Sequence, residues 1–182
     1  MSAELNVLVE GYADDRVAST VTLVRDGDAV IVIDPGMVAD RELILGPLRQ
    51  LGIAPTAVTD VVFSHHHPDH TLNAALFTEA RYHDHWAIYQ GDEWIERPAD
   101  GYELSASVQL RATPGHTSED ISTLVRTDDG LVVCTHSWWS AEGPQVDPLA
   151  ESQEQLEQSR KLLLEVGATL IVPGHGAPFV PI

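Results

Sequence analysis

The chain has 182 residues, of which 43% are hydrophobic, and this size and composition predict one globular domain spanning residues 1–182. Ten Lys and Arg residues against 28 Asp and Glu residues give a formal net charge of -18. Such a charge disfavours nucleic acid and anionic membrane surfaces as partners. The apolar runs are too short to span a bilayer and the N-terminus has no secretory pattern, so we expect a cytoplasmic protein.

Strands dominate the first part of the chain. Apolar and β-branched runs predict strands at residues 5–9, 18–24, 29–33 and 58–63. Apolar residues at helical spacing predict a helix over residues 41–51, although Gly46 and Pro47 lie within it. A short helix is predicted at residues 70–76.

The second part mixes strands and helices. Further strands are predicted at residues 81–85, 108–112, 121–126, 131–134 and 169–172. Residues 86–97 are predicted to form a loop with partial helical character. A long helix is predicted over residues 148–166, with Pro148 at its start and Gly167 at its end. This order predicts an α/β chain with at least two sheet segments.

Histidines are the most informative residues of the sequence. The chain has nine: His65, His66, His67, His70, His83, His85, His116, His136 and His175. Four lie in Ser64–His70, directly after a predicted buried strand. At this strand end, His65 and His67 can point to one side, and Asp69 and His70 can reach a point beyond them. Imidazole nitrogens and a carboxylate oxygen suit zinc, iron or manganese.

Four motifs in order resemble those of the metallo-β-lactamase-fold hydrolases. They are Asp34-Pro35-Gly36, His65–His70, Pro114-Gly115-His116-Thr117 and Pro173-Gly174-His175-Gly176. The stretch from Ser159 to Phe179 is most similar to the small glyoxalase-II-like branch, which includes the metallo-β-lactamase domain-containing protein 1 group. The resemblance implies a four-layer αβ/βα sandwich with metals at one edge.

The resemblance also implies two divalent metal ions, preferably zinc, with iron or manganese as alternatives. The ligands it assigns are His65, His67 and His116 for the first ion and Asp69, His70 and His175 for the second. Asp34 would orient a ligand histidine through a hydrogen bond.

One position departs from the family pattern. The family commonly has a metal-bridging aspartate after the strand that corresponds to residues 131–134, whereas Thr135-His136 stands here. A neutral imidazole binds one metal, and the lost negative charge weakens the attraction for a second dication. The site would then be binuclear with a bridging water, or have one tight and one weak metal, or be a variant with changed or lost activity. The plain alternative is that His136 is a core residue.

The implied reaction is hydrolysis of a small ester, thioester, lactone or amide by metal-activated water. Asp69 would position the water and handle its proton. Cys134, the only cysteine, lies in a predicted buried strand and is a poor nucleophile. The alternatives are a metal-dependent nuclease, which the acidic charge disfavours, and an iron-dependent oxygenase or non-catalytic metal-binding protein, which His136 favours.

Aromatic and remaining histidine residues have less certain roles in the sequence. Trp138 and Trp139 are candidates for an apolar wall of the substrate site, and core packing or a homodimer contact is the alternative. His83 and His85 share a face of a predicted strand, where a structural role is favoured over a place at the site mouth. His66 is expected to point away from the ligand positions.

Overall fold

The computed structural model describes residues 2–181. In these residues the strands are β1 (Glu4–Val9), β2 (Tyr12–Ala13), β3 (Val17–Ala18), β4 (Val21–Asp26), β5 (Ala29–Ile33), β6 (Asp60–Val62), β7 (Arg81–His83), β8 (Ala87–Gln90), β9 (Glu93–Glu96), β10 (Val108–Ala112), β11 (Ile121–Thr127), β12 (Gly130–Thr135) and β13 (Ala168–Pro173). The α-helices are α1 (Glu42–Gln50), α2 (Pro68–Thr71) and α3 (Gln153–Glu165). Short 3-10 turns cover Pro55–Ala57 and Ala74–Leu76.

Two sheets make up most of the structure. One has seven strands in the order β1-β4-β5-β6-β7-β8-β9, and the other has four in the order β10-β11-β12-β13. β2 and β3 pair as a separate hairpin. β5, β6 and β7 run parallel to one another, as do β12 and β13. Among the described residues no helix is long and apolar enough to cross a membrane.

Successive side chains of a strand point to opposite faces of its sheet, so each sheet packs against a different layer on each face. Ile31 and Ile33 of β5 belong to the core between the sheets, whereas Val32 packs with Ile44 of α1 on the outer face of the first sheet. Leu163 of α3 packs on the outer face of the second sheet. The layers therefore run helix, sheet, sheet, helix, which confirms the predicted αβ/βα sandwich.

The prediction of a loop with helical character at residues 86–97 is wrong. This segment is the β8–β9 hairpin, in which Tyr89 pairs with Trp94. Gly91 has a φ of 61°, which suits the two-residue turn between the strands. Its aromatic and β-branched residues favour strands, and this preference outweighs the weak helical spacing.

Several other predicted elements are shorter than expected, and the helix predicted at residues 70–76 is divided into α2 and the 3-10 turn at Ala74–Leu76. α3 begins after Ser152, whose Oγ accepts a hydrogen bond from the Gln155 backbone N–H at 3.3 Å. The residues before it form a loop beside the histidines. The predicted strand at residues 18–24 is interrupted between β3 and β4, where the Thr20 N–H donates to the Gly174 carbonyl at 2.8 Å. Both differences allow contacts between segments distant in sequence, since the Glu151 N–H before α3 donates to the His116 carbonyl at 3.0 Å.

Replacing Leu163 with alanine is expected to lower the free energy of unfolding by about 2–5 kcal/mol, because it leaves a cavity between α3 and the second sheet. Urea unfolding followed by circular dichroism measures this loss. Leu164→Ala is the matched control, since Leu164 is 40% exposed on the same helix, and it should cost about 1 kcal/mol or less. Equal losses in the two variants would contradict this packing of α3.

Candidate metal centre

The histidines meet at the edge where several strands end. His65 and His67 follow β6, His116 follows β10, His136 follows β12 and His175 follows β13. β10, β12 and β13 run in the same direction, because β11 is antiparallel to both β10 and β12 and β13 is parallel to β12. Loops after the carboxyl ends of such strands converge, which is where open α/β sheets place their ligand sites.

Pro68 divides the histidine-rich segment into two parts. It is the first residue of α2, where a proline is favoured, and His67 before it is extended. Asp69 and His70 therefore lie in the first turn of the helix. Gly36 allows this turn to approach closely, because a Cβ there would lie 1.6 Å from the Asp69 carbonyl oxygen.

Two groups of three buried histidines can each hold a metal ion. Within each group the nitrogens lie within 4.8 Å of one another. The groups are His65, His116 and His136, and His70, His136 and His175. His136 belongs to both, so this ring lies between the two candidate metal positions.

Two further side chains complete the cluster. His67 Nδ1 lies 3.1 Å from His116 Nε2. Asp69 Oδ2 lies 3.4 Å from His70 Nε2 and 3.5 Å from His175 Nε2. All six ligand positions that the motifs implied are thus brought together, with His136 among them.

Acceptor groups behind the rings fix the orientation of three histidines. His70 Nδ1 donates to Asp34 Oδ2 at 2.9 Å, and His175 Nδ1 donates to the Ala18 carbonyl at 2.9 Å. His116 Nδ1 donates to Asp147 Oδ2 at 2.7 Å. Carboxylates and carbonyls only accept, so the neutral form of each of these rings has its proton on Nδ1 and its lone pair on Nε2, facing the cluster.

The ring nitrogens fit a divalent metal. His65 Nε2, His70 Nε2 and His136 Nδ1 are buried and have no hydrogen-bond partner among the described residues. Burial, together with the neighbouring imidazoles, holds the pKa of His65 and His136 well below its usual value. Both rings are therefore neutral, which is the form that ligates a metal.

Asp34 supports this cluster from an unusual backbone conformation. Its φ is 51°, which is rare for a residue other than glycine. Its Oδ1 accepts from the Ser64 N–H at 2.7 Å, while Oδ2 binds His70. Burial disfavours the charged form of His70, but the Asp34 carboxylate outweighs it and raises the pKa of that ring. One side chain thus fixes both ends of the histidine-rich segment.

The His136 ring is confined by Gly174. A Cβ at Gly174 would lie 2.4 Å from His136 Cδ2, so only glycine leaves room for the imidazole. His136 Nε2 lies 3.1 Å from His175 Nε2. Since the His175 nitrogen is an acceptor, a proton or a cation must lie between the two. His136 therefore takes part in the cluster rather than in an apolar core.

Asp147 is a functional residue that the sequence analysis missed. Its Oδ2 accepts from both His116 Nδ1 and the Trp139 indole N–H, the latter at 2.9 Å. Burial disfavours its charge, but the hydrogen bond from His116 lowers its pKa. The only sequence signal was an isolated Asp-Pro pair, and the helix predicted from Pro148 concealed the loop.

Asp120 was also missed. It is buried and accepts hydrogen bonds from the Thr117 N–H and hydroxyl at 2.8 and 2.7 Å. Burial raises its pKa to about 7. Its Oδ1 lies 3.9 Å from His65 Nδ1, behind a third ring of the cluster.

Of the two candidate tryptophans, only one borders the cluster. Trp139 lines a pocket of about 300 Å³ together with His67, His116, His136 and other residues. Trp138 packs against Phe179 and beneath Arg160, away from this pocket, so its predicted place at the substrate site is wrong.

The other histidines lie outside the cluster. His66 Nε2 contacts Asp84 Oδ2 at 3.0 Å, pointing away as expected. His83 is buried against Asp60 at 2.8 Å. His85 lies beyond the end of β7, next to Trp86, so it does not share a strand face with His83 as predicted. The turn occurs because Asp84 Oδ1 accepts from the N–H groups of residues 86 and 87.

Comparison with known proteins agrees with this architecture. Residues 14–175 match the family described as the Metallo-beta-lactamase superfamily. Metallo-beta-lactamase domain-containing protein 1 of Xenopus laevis is 34% identical over 96% of this chain and 80% of its own length. The Homo sapiens protein of that name is 35% identical over 82% of this chain, which spans 59% of its length. A hydroxyacylglutathione hydrolase of Albidiferax ferrireducens is 30% identical over 66% of this chain and 48% of its own.

Solved structures show the same fold. A metallo-beta-lactamase-like protein of Thermotoga maritima has a TM-score of 0.77 and 24% identity, with full coverage of both chains. A quorum-quenching N-acyl homoserine lactone lactonase has a TM-score of 0.70 and 20% identity, over 96% of this chain and 91% of its own. The chain belongs to the metallo-β-lactamase superfamily. Members of this superfamily are mostly metal-dependent hydrolases.

Replacing Asp147 with alanine is expected to weaken zinc binding by about 10- to 100-fold, because His116 loses the acceptor that orients it. Competition with a chromophoric chelator measures the affinity. The fluorescence of Trp139 should change in the same variant, since its indole N–H loses its partner. Asp129→Ala, at an exposed turn, is the control, because it removes one negative charge as Asp147→Ala does. Unchanged zinc affinity in Asp147→Ala would contradict this role.

Proposed function

We propose that this protein is a metal-dependent hydrolase of small esters, thioesters, lactones or amides. The observation that carries the proposal is the pair of buried histidine groups, of which His116, His136 and His175 line one pocket. The lactonase and the hydroxyacylglutathione hydrolase among the relatives act on substrates of this chemical kind, which supports the same reaction class here.

The residues of the site would have two roles, metal binding and proton transfer. His65, His67 and His116 would hold one divalent ion, and Asp69, His70 and His175 the other, preferably zinc. When bound, such ions polarise a carbonyl and lower the pKa of water toward neutrality. Asp69 lines the pocket, so its carboxylate is placed to accept a proton from water and return it to the leaving group.

His136 governs how many ions bind tightly. A neutral imidazole has one lone pair, and His136 belongs to both histidine groups, so it can complete only one of them at a time. We therefore propose one tight and one weak site, rather than two equal ones. A carboxylate at this position would offer two oxygens and one more negative charge.

The function is tested with p-nitrophenyl esters and an N-acyl homoserine lactone. Hydrolysis should disappear on treatment with a chelator and return with added zinc. His65→Ala should lower kcat/KM by about 100-fold or more, because it removes a ligand. His66→Ala is the matched control, since its ring faces Asp84. Persistent hydrolysis in the metal-free protein would refute the proposal.

His136→Asp is expected to raise the tightly bound zinc from about one to about two ions per chain, since a carboxylate can serve both positions. Elemental analysis after dialysis, on protein purified without nickel affinity, gives the stoichiometry. Isothermal titration separates the two affinities. Two equally tight ions in the natural protein would contradict the competition for His136.

A further inference from the structure

We propose that strand β9 is an interaction surface, where an extended and basic segment of a partner protein adds as a further strand of the seven-stranded sheet. The proposal concerns the β8–β9 hairpin and does not depend on the hydrolase function. It rests on the exposure of this strand, on its unpaired main-chain groups and on its charge.

The strand lies at an uncovered edge. β9 is the last strand of the seven-stranded sheet, so in the described part of the chain one side of it has no neighbouring strand. All four of its residues, Glu93–Glu96, are exposed. The other strands at the ends of the two large sheets are β1, β10 and β13, and each of them has buried residues. β9 is therefore the least covered edge of the two sheets, whereas proteins commonly protect such edges.

The main-chain groups of Trp94 and Glu96 point away from β8. The Arg97 N–H donates to the Trp86 carbonyl at 3.1 Å, so the main chain of Arg97 faces β8. The direction of hydrogen bonding alternates along a strand, and hence Trp94 and Glu96 face the uncovered side. Two N–H groups and two carbonyls can thus pair with an added strand, which is how extended peptides join sheet edges.

Large apolar side chains of the hairpin are exposed as well. Trp94 is 62% and Ile95 is 45% exposed, although residues of both types are mostly buried in proteins. Trp94 and Glu96 share one face of β9, and both line a pocket of about 570 Å³. Trp86, which is 48% exposed, lines the same pocket. An added strand would place alternate side chains on this face, and the pocket would select among them.

The hairpin is fixed before any partner binds. Asp84 Oδ1 accepts from the N–H groups of Trp86 and Ala87 at 2.7 and 2.8 Å, where β8 begins. The Tyr89 hydroxyl donates to the same carboxylate, and its ring meets Trp94 edge-on with the centroids 4.6 Å apart. An edge held in this way does not have to be ordered on binding, so less affinity is lost to entropy.

Charge decides the kind of partner. Asp92, Glu93 and Glu96 are exposed carboxylates of the hairpin. Arg97 follows the strand, but its guanidinium lies 4.8 Å over the Tyr102 ring and its nitrogens are buried. A second copy of this chain would bring the same carboxylates and a net charge of -18, of which two bound divalent ions would offset only a small part. The strand therefore favours a basic partner over a second copy.

The probe is a synthetic peptide, acetyl-Lys-Val-Arg-Val-Lys-Val-amide. When extended, it has basic side chains on one face and valines on the other. Titration into isotope-labelled protein at low ionic strength should shift the β9 amide signals saturably, with a Kd on the order of 0.1–1 mM. The amides of Trp94 and Glu96 should exchange more slowly with deuterium in the complex, because they gain a hydrogen-bond acceptor.

Two control peptides separate strand addition from attraction by charge. The same peptide with every backbone nitrogen methylated keeps its side chains and charge but has no N–H to donate. It should bind at least about tenfold more weakly. A peptide with Glu at each basic position should not bind, since it meets the carboxylates of the hairpin.

Glu96→Pro removes an outward N–H of β9, and Glu96→Gln is its matched control, because both variants lose the same negative charge. We expect the proline variant to bind the peptide at least about tenfold more weakly than the glutamine variant. Proline is tolerated at a sheet edge where its nitrogen faces solvent, so the amide signals of β8 should persist. Trp94→Thr, which retains the strand preference and the N–H, should also weaken binding, by about threefold or more.

Equal affinity for the methylated and unmethylated peptides, or for Glu96→Pro and Glu96→Gln, would mean attraction by charge alone and would overturn the proposal. Protection of amides elsewhere in place of Trp94 and Glu96 would overturn it too. So would the absence of a saturable shift up to about 5 mM peptide. A dimer in sedimentation that becomes a monomer in Glu96→Pro would assign this edge to a second copy instead.

Discussion

The structure depends on the need to hold a set of neutral imidazoles together in a buried place. Rings such as His65, His136 and His175 lose their hydration on folding, and burial disfavours their protonation. Each buried ring nitrogen then requires a partner. The outer nitrogens obtain theirs from Asp34, Asp147 and backbone carbonyls, while the inner ones are left facing one another. An arrangement of this kind is costly without a cation, and the coordination chemistry of imidazole supplies the reason for it.

This requirement explains contacts that packing alone does not. The Thr20 N–H reaches Gly174 and the Ile121 N–H reaches the Ser64 carbonyl, so the two sheets are joined at the edge that carries the ligands. Glycines at 36 and 174 exist where another segment approaches within the space of a side chain. The loop between β12 and α3 returns to the site through Asp147. Ligand rings, pocket wall and sheet edge are therefore parts of one hydrogen-bonded unit.

The sequence could predict the layers and the ligand set because both are encoded locally. Apolar and β-branched runs mark the strands, and the motifs around His65, His116 and His175 are short and follow them. The role of Asp147 and the packing of His136 against Gly174 could not be predicted in this way, because both depend on which segments meet in space. Trp138 and Trp139 show the same limit, since adjacency along the chain placed them together and the backbone turned them apart. The β8–β9 hairpin was not predicted, because the segment has weak helical spacing and its strands are stabilised by pairing with each other.

His136 changes where the negative charge of the site resides. A bridging carboxylate would lie between the metals, whereas here an imidazole occupies that position and only Asp69 contributes a charged ligand. Two further carboxylates, Asp34 and Asp147, lie behind rings of the cluster, at 2.9 and 2.7 Å from their outer nitrogens. Charge placed there makes an imidazole a stronger donor to a metal without occupying a coordination position. In the proposed site, a cation would also be less fully neutralised than by a bridging carboxylate, so a bound ion would keep more of its power to polarise a carbonyl. Under this proposal, His136 would exchange affinity at the second position for electrophilic strength at the first.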